Sequence, residues 1–139
     1  MKKREKVANV MTTDVLTVNV GNSLREANQL FTKNHIRHIP VVSGDKLIGI
    51  LSQTDILRIS FGNTFGSDQT GGDEAIFDML SINQVMKHSP QTVSPEQTLK
   101  EAAEVFAQKE FHALPVVEND KLVGIITTTD IIKYFLEQY

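Results

Sequence analysis

Two aspartates, each three positions after a hydroxyl side chain, are the residues of this sequence best suited to bind a ligand. Asp55 follows Ser52, and Asp130 follows Thr127. An ionised Asp can accept hydrogen bonds from both hydroxyls of a ribose, as acidic residues do in dinucleotide-binding folds. The neighbouring hydroxyl side chain can contact the ribose or a phosphate. The spacing is therefore compatible with a nucleotide site in each half of the chain.

The same spacing also fits helix capping. The helix dipole favours a carboxylate in the first turn of a helix, and the threonine directly before each aspartate, Thr54 or Thr129, could serve as the N-cap. Both interpretations predict that a helix begins beside each aspartate. The spacing alone does not distinguish ligand binding from helix capping.

The elements that would position these residues occur twice along the chain. From Val10 to Leu57, 19 of 48 residues are identical to the residue 75 positions later, without a gap. Identity at this level in so short a window indicates an internal duplication. We predict a first repeat at 7–60, a linker at 61–81 and a second repeat at 82–139.

Hydrophobic periodicity predicts the order β-α-β-β-α in each repeat, and hence the α+β fold class. In the first repeat the predicted elements are a strand at Val15–Val18, an amphipathic helix after Ser23, strands at Ile39–Val42 and Leu47–Leu51, and a helix beginning near Thr54. Ser23 with Glu26 is a predicted capping box, and so is Thr98 with Glu101 in the second repeat. Each repeat thus places its aspartate at the end of a hairpin.

Gly49 and Gly124 interrupt the last predicted strand of each repeat. An isolated glycine weakens a strand unless another segment of backbone must approach it closely. We therefore predict a close backbone approach at both positions.

The overall composition limits the classes of function. The chain has 40% hydrophobic and 22% charged residues, a formal net charge of −3 and no cysteine. This is typical of a folded domain, excludes cysteine chemistry, and predicts no attraction to nucleic acid or to an anionic membrane. No apolar stretch approaches the roughly 18 residues of a membrane span. We expect a soluble, cytoplasmic protein whose basic start, Lys2, Lys3 and Arg4, is a solvated tail.

One family has this combination of motifs. Each repeat contains an apolar residue followed by Pro-Val-Val, a polar turn, and Leu-h-Gly-h-h-Ser/Thr-x-x-Asp, where h is apolar, with Val-Met about thirty residues upstream. The chain resembles the tandem cystathionine β-synthase (CBS) domain pair, or Bateman module, from Val7 to about Phe135. The resemblance implies two β-α-β-β-α repeats packed about a pseudo-twofold axis, and association of two copies into a homodimer.

The resemblance also implies binding residues, with each site combining the aspartate of one repeat and the start of the other. The residues implied for one site are Thr127, Asp130, Thr12, Val15, Leu16 and Thr17. Those implied for the other are Ser52, Asp55, Lys87, Pro90, Gln91 and Thr92. Arg37, His38 and His112 match positions from which some CBS pairs contact phosphates. Since His112 replaces Arg37 and Ala113 replaces His38, two unequal sites are expected.

The function implied is regulation by an adenine nucleotide. The ligand would be AMP, ADP or ATP, with S-adenosylmethionine or NAD as less favoured ligands, and the output would pass to an effector protein in trans. The sequence has no hydrolase, Walker or zinc-protease motif, and its four histidines are scattered, so neither catalytic nor metal-binding residues are expected. The alternatives are a structural dimerisation or protein-docking module, an uncharacterised enzyme, and a DNA-binding regulator.

Overall fold

The computed structural model describes residues 4–64 and 77–139. The first repeat contains β1 (Val18–Asn19), α1 (Leu24–Asn34), β2 (His38–Ser43), β3 (Lys46–Ser52) and α2 (Gln53–Thr64). The elements that follow are α3 (Ile82–Val85), β4 (Lys87–His88), α4 (Leu99–Gln108), β5 (Ala113–Glu118), β6 (Lys121–Thr127) and α5 (Thr128–Glu137). A single 3-10 turn, Val7–Asn9, precedes them. None of these helices has both the length and the apolar character of a membrane span. Lys2 and Lys3, interpreted above as part of a solvated tail, lie outside the described residues.

The predicted β-α-β-β-α order is confirmed in both repeats, but the predicted first strand at Val15–Val18 is wrong in extent. The strand that forms is β1, Val18–Asn19, which pairs in parallel with β2 and places Val18 opposite Val41. Its counterpart in the second repeat is a single parallel bridge between Val93 and Val116. Residues with high β propensity form a strand only where a neighbouring strand is in reach to hydrogen-bond with them, which local sequence does not show.

The chain divides into two compact units. Unit 1 comprises Met1–Val15, Asp45–Leu47 and Pro90–Tyr139, and unit 2 comprises Leu16–Gly44 and Ile48–Ser89. Unit 1 thus joins most of the second repeat to the segment that precedes the first repeat's β1. Unit 2 joins most of the first repeat to the segment that contains α3 and β4.

Each unit has its own apolar core, and the joined segment contributes to it. The core of unit 1 is formed by Val7, Val93, Leu99, Ala102, Leu114, Val116 and Ile126. The core of unit 2 includes Val18, Leu24, Ala27, Phe31, Ile39, Val41, Leu51, Ile56, Phe77, Ile82 and Met86. Val7 and Ile82, which are equivalent in the duplication, are fully buried. Burying such a side chain contributes about 1.5–3 kcal/mol, so each anchors its segment to its unit.

Both predicted capping boxes are confirmed. The Glu26 amide donates to Ser23 Oγ at 3.0 Å, and the Glu101 amide donates to Thr98 Oγ1 at 3.1 Å. Each glutamate returns a hydrogen bond by accepting from the backbone N–H of its capping residue. The hydrogen bond from the Thr98 backbone N–H lowers the pKa of the Glu101 carboxyl, and hydrogen bonds from the Gln97 and Thr98 side chains lower it further. The boxes fix where α1 and α4 begin.

Candidate functional site

Each of the two aspartates lies in the first turn of a helix that follows directly from a strand. The Asp55 amide donates to Ser52 Oγ at 3.0 Å where β3 passes into α2. The Asp130 amide donates to Thr127 Oγ1 at 3.0 Å where β6 passes into α5. The hydroxyl three positions before each aspartate is therefore the N-cap.

The capping interpretation is confirmed for the aspartates, which lie in the first turns of α2 and α5, but the predicted cap residues Thr54 and Thr129 are wrong. Thr129 lies inside α5, whose N-cap is Thr127 in extended backbone conformation. Thr54 likewise lies inside α2. An N-cap must have non-helical backbone angles, which the last strand residue supplies and a residue of the first turn does not.

The two carboxylates complete capping boxes with the same hydroxyl residues. Asp55 Oδ2 accepts from the Ser52 backbone N–H at 3.2 Å, and Asp130 Oδ2 accepts from the Thr127 backbone N–H at 3.0 Å. A carboxylate has two oxygens and about four acceptor positions, so the backbone bond, together with the bond from Arg58 at Asp55, leaves acceptor positions for other donors. Each hydroxyl uses a lone pair for the cap and keeps its hydrogen available to donate. Capping and ligand binding are thus compatible roles.

In unit 1, the N-terminal segment lies beside Asp130. The backbones of Thr12 and Ile125 exchange two hydrogen bonds, at 2.8 and 2.9 Å. Thr12 Oγ1 lies 3.4 Å from Asp130 Oδ1 and 3.5 Å from Oδ2. These distances are longer than an ordinary hydroxyl–carboxylate hydrogen bond, so the contact is weak. The structure therefore brings Thr12, Thr127 and Asp130 together with room for a stronger donor at the carboxylate.

In unit 2, Lys87 occupies the position that Thr12 has in unit 1. Lys87 in β4 pairs antiparallel with Ile50 in β3, as Thr12 pairs with Ile125. The Lys87 side chain is exposed. Among the described residues it forms no ion pair within 4.0 Å. Its ammonium group can therefore reach a ligand.

The close backbone approach predicted at Gly49 and Gly124 is confirmed. A Cβ atom on Gly124 would lie 2.9 Å from the carbonyl oxygen of Thr12 and 2.7 Å from Met11 Sδ. A Cβ atom on Gly49 would lie 2.9 Å from the carbonyl oxygen of Lys87. The glycines thus allow the segments containing Thr12 and Lys87 to lie directly against β6 and β3.

The residues before β2 and β5 contact the starts of the same helices. The Gln53 amide donates to the Arg37 carbonyl at 2.9 Å, and the Thr128 amide donates to the His112 carbonyl at 3.0 Å. The Arg37 and His112 side chains are exposed, whereas His38 is half-buried. In the described part of the chain, no three His, Asp or Glu residues are grouped so that they could hold a metal ion. We call Ser52, Asp55, Lys87 and Arg37 the Asp55 site, and Thr127, Asp130, Thr12 and His112 the Asp130 site.

The remaining predicted binding residues lie in two short segments, 15–17 and 90–92, which precede the first helix of each repeat and which we call the edges. Val15 is half-buried in unit 1, and Leu16 and Thr17 are exposed in unit 2. In unit 1, Pro90 is half-buried, and Gln91 and Thr92 are exposed. The combination of these edges with the aspartates stays a prediction.

The surroundings of the two carboxylates differ in ways that the sequence analysis missed. Asp55 is 5% exposed, and its Oδ1 pairs with the guanidinium of Arg58 at 3.3 Å. Asp130 is half-buried. It borders an open depression of about 220 Å³ that is lined by Asn9, Val10, Asp130, Lys133, Tyr134 and Glu137. The spacing of three between Asp55 and Arg58 on a helix favours the ion pair, but Asp130 and Lys133 have the same spacing and form no ion pair in the described part of the chain.

Comparison with known proteins gives a family match over most of the chain. The family model described as CBS domain matches residues 7–62 and 82–137. Protein MJ1225 of Methanocaldococcus jannaschii is 33% identical over 135 residues, which cover 96% of this chain and 48% of that protein. Its crystal structure has a TM-score of 0.82 at 31% identity, covering 97% of this chain and 49% of that one. Five curated relatives, MJ1225 among them, are longer proteins of which the chain spans 22% to 48%.

Two further solved structures share the fold and contain adenosine ligands. CBSX2, a protein of Arabidopsis thaliana, was solved in complex with AMP. It has a TM-score of 0.81 at 24% identity, covering 96% of this chain and 98% of that one. The CBS domain pair of protein MJ0100 was solved with 5′-methylthioadenosine and S-adenosyl-L-methionine. It has a TM-score of 0.78 at 22% identity, covering 96% and 98%.

Proposed function

The chain belongs to the CBS domain family, and on that premise we propose that it is a regulatory module that binds an adenine nucleotide through Asp55 and Asp130. The observation that supports this most directly is the repetition of one local arrangement in two separate units. In each unit, a strand ends in a capping hydroxyl, and a carboxylate with spare acceptor capacity follows it. The cap alone would not require Thr12 to be held 3.4 Å from Asp130.

The ligand class follows from what the carboxylates can bind. A carboxylate with unused acceptor positions suits a pair of neighbouring hydroxyls, as on a ribose. AMP, 5′-methylthioadenosine and S-adenosylmethionine, the ligands of the two CBS structures, all contain adenosine. We therefore propose AMP, ADP or ATP, with the ribose at the aspartate and the edges 15–17 and 90–92 contacting the base.

The regulatory part of the proposal concerns an effector protein in trans. A ligand changes the output of a module only if it binds one conformation better than another. The nucleotide would therefore alter the affinity of the module for its effector, and the effector would alter nucleotide affinity by the same factor. We propose no catalytic role for either site.

Calorimetric titration of the purified protein with AMP and with 2′-deoxy-AMP tests this function. AMP is expected to bind, and 2′-deoxy-AMP about ten- to a hundredfold more weakly, because it lacks one hydrogen bond to a charged group. Equal affinities would exclude the ribose contact. If AMP, ADP, ATP and S-adenosylmethionine all gave no heat and no thermal shift, the structural docking module would be favoured instead.

We further propose that two copies associate through α5. This helix has no buried residue, and Ile132, Phe135 and Leu136 are 57%, 44% and 64% exposed. A cluster of exposed apolar side chains on one helix is typical of an interaction surface. Light scattering at micromolar concentration should give twice the 15.5 kDa mass of the chain.

The contribution of α5 to this association can be tested with a pair of charge substitutions. Ile132→Glu should shift the protein towards the monomer, because it places a charge in the apolar contact. Gln138→Glu adds the same side chain at an exposed polar position after α5, and should leave the dimer intact. A monomeric parent protein, or equal effects of both variants, would contradict this interface.

A further inference from the structure

The two sites differ in charge at positions that are equivalent in the duplication. Arg37 corresponds to His112, and Lys87 corresponds to Thr12. Position 58, three residues after Asp55, is Arg, and its counterpart Lys133 is also cationic. At the four pairs of equivalent positions, 37/112, 87/12, 58/133 and 55/130, the set that contains Asp55 has three formal positive charges and one negative charge, and the set that contains Asp130 has one of each with His neutral. The excess of positive charge is confined to unit 2.

The register of the strands places Lys87 opposite Ile50, five residues before Asp55. Thr12 is held against Ile125 by two backbone hydrogen bonds, and its hydroxyl reaches Asp130 at 3.4 Å. Lys87 is paired with Ile50 in the equivalent register. A lysine stem is four carbons long, so an ammonium group starting from this position reaches farther from the backbone than the hydroxyl of Thr12 does. A phosphate attached to a ribose at Asp55 would lie within its reach.

The ion pair of Asp55 also favours a highly charged ligand. Arg58 pairs with Asp55 at 3.3 Å while its own side chain stays 70% exposed. The guanidinium has five N–H donors, so most of them remain available to phosphate oxygens. Arg58 balances the negative charge of Asp55, so Asp55 repels a polyphosphate less than an isolated carboxylate would.

The Asp130 site has the opposite character. Within the described residues Asp130 forms no ion pair, and the side chain that donates to it is the uncharged hydroxyl of Thr12. The depression beside it is lined by one cation, Lys133, and by a second carboxylate, Glu137. His112 adds a positive charge only when it is protonated. Phosphates beyond the first would therefore meet little compensating charge.

From these differences we infer that the two sites select ligands by phosphate content. The Asp55 site binds an adenine nucleotide with two or three phosphates, such as ADP or ATP. The Asp130 site binds an adenosine ligand with at most one phosphate, such as AMP or 5′-methylthioadenosine. The inference rests on the proposed function, because it assumes that the aspartates hold the ribose.

Titrations of site-blocked variants with ATP and AMP test this selectivity. In Asp130→Ala only the Asp55 site can bind a nucleotide. There ATP should bind at least about tenfold more tightly than AMP, because its extra phosphates add one or more charge-assisted hydrogen bonds. Adding Lys87→Thr should reduce that ratio by about tenfold through loss of ATP affinity. Thr is the residue that the other repeat has at this position, and Lys87 is exposed, so the fold should be retained. Thr12→Lys in an Asp55→Asn background should raise ATP affinity at the Asp130 site.

The outcomes separate this inference from the proposed function. If no adenosine ligand binds to the parent protein, the proposed function is wrong. If ligands bind but the ATP to AMP ratio is equal at both sites, or does not change with Lys87→Thr, only the selectivity is wrong. If Asp55→Asn fails to fold, the comparison of Asp130→Ala with and without Lys87→Thr decides on its own. Arg37→His, which also installs the residue of the other repeat, gives a second independent readout.

Discussion

Replacing Asp130 by alanine is expected to weaken adenine-nucleotide binding in unit 1 by about ten- to a hundredfold. The change removes the acceptor of the proposed ribose hydrogen bonds, each of which involves a charged group. It also removes the bond from the Thr127 backbone N–H at 3.0 Å, so some folding stability is lost as well. Loss of a capping interaction costs about 0.5–2 kcal/mol. Calorimetric titration and melting curves of the same variant measure the two effects separately.

Two controls distinguish ligand binding from capping. Asp130→Asn keeps an oxygen that can accept from the Thr127 N–H but has no negative charge, so it should retain most of the stability and still bind poorly. Glu101→Ala removes the equivalent acid of the capping box in α4, outside both sites. It should lower stability and leave nucleotide affinity unchanged. If Asp130→Ala bound every adenine nucleotide as tightly as the parent, the site assignment would be wrong even though the family assignment stands.

The features of the fold that could be predicted from the sequence are those fixed by local interactions. The Ser23 and Thr98 caps depend on residues three positions apart, and both formed as expected. The hairpins follow from apolar runs separated by a polar turn, and in the second repeat Asn119 and Asp120 both have the positive φ that a tight hairpin turn requires. In each case the residues that indicate the cap or the turn lie within a few positions of it in the sequence.

The features that could not be predicted depend on contacts between distant parts of the chain. Val15–Thr17 has strand-like residues, but only Val18 and Asn19 pair with β2. Asp55 and Asp130 follow the same motif. Asp55 is almost fully buried and pairs with the exposed Arg58, whereas Asp130 is half-buried beside an open depression. Burial and ion pairing depend on which side chains other elements bring to the aspartate. A repeat with 19 identities in 48 positions therefore does not guarantee two equal sites.

The glycines of the last strands give the second large effect, on folding stability. Gly124→Ala is expected to lower the free energy of unfolding by about 1–3 kcal/mol, the usual cost of an extra methyl group in a closely packed contact. The new Cβ atom would lie 2.7 Å from Met11 Sδ and 2.9 Å from the Thr12 carbonyl oxygen. The flexible Met11 side chain can move away, but the carbonyl can shift only by disturbing the two backbone hydrogen bonds between Thr12 and Ile125. Denaturant unfolding measures the loss as a lower midpoint.

Gly21→Ala is the matched control, because its Cβ atom would meet only Asn19 Oδ1 at an ordinary 3.6 Å. Its stability should stay within about 0.5 kcal/mol of the parent, as for most surface substitutions. Combining Gly124→Ala with Met11→Ala identifies which contact matters. If the Thr12 carbonyl is the obstacle, the double variant gains nothing over Gly124→Ala, whereas recovery of stability would show that only the Met11 side chain was in the way. Because the same displacement moves Thr12 away from Asp130, Gly124→Ala should also weaken nucleotide binding in unit 1, and unchanged stability together with unchanged affinity would refute the close-approach role of this glycine.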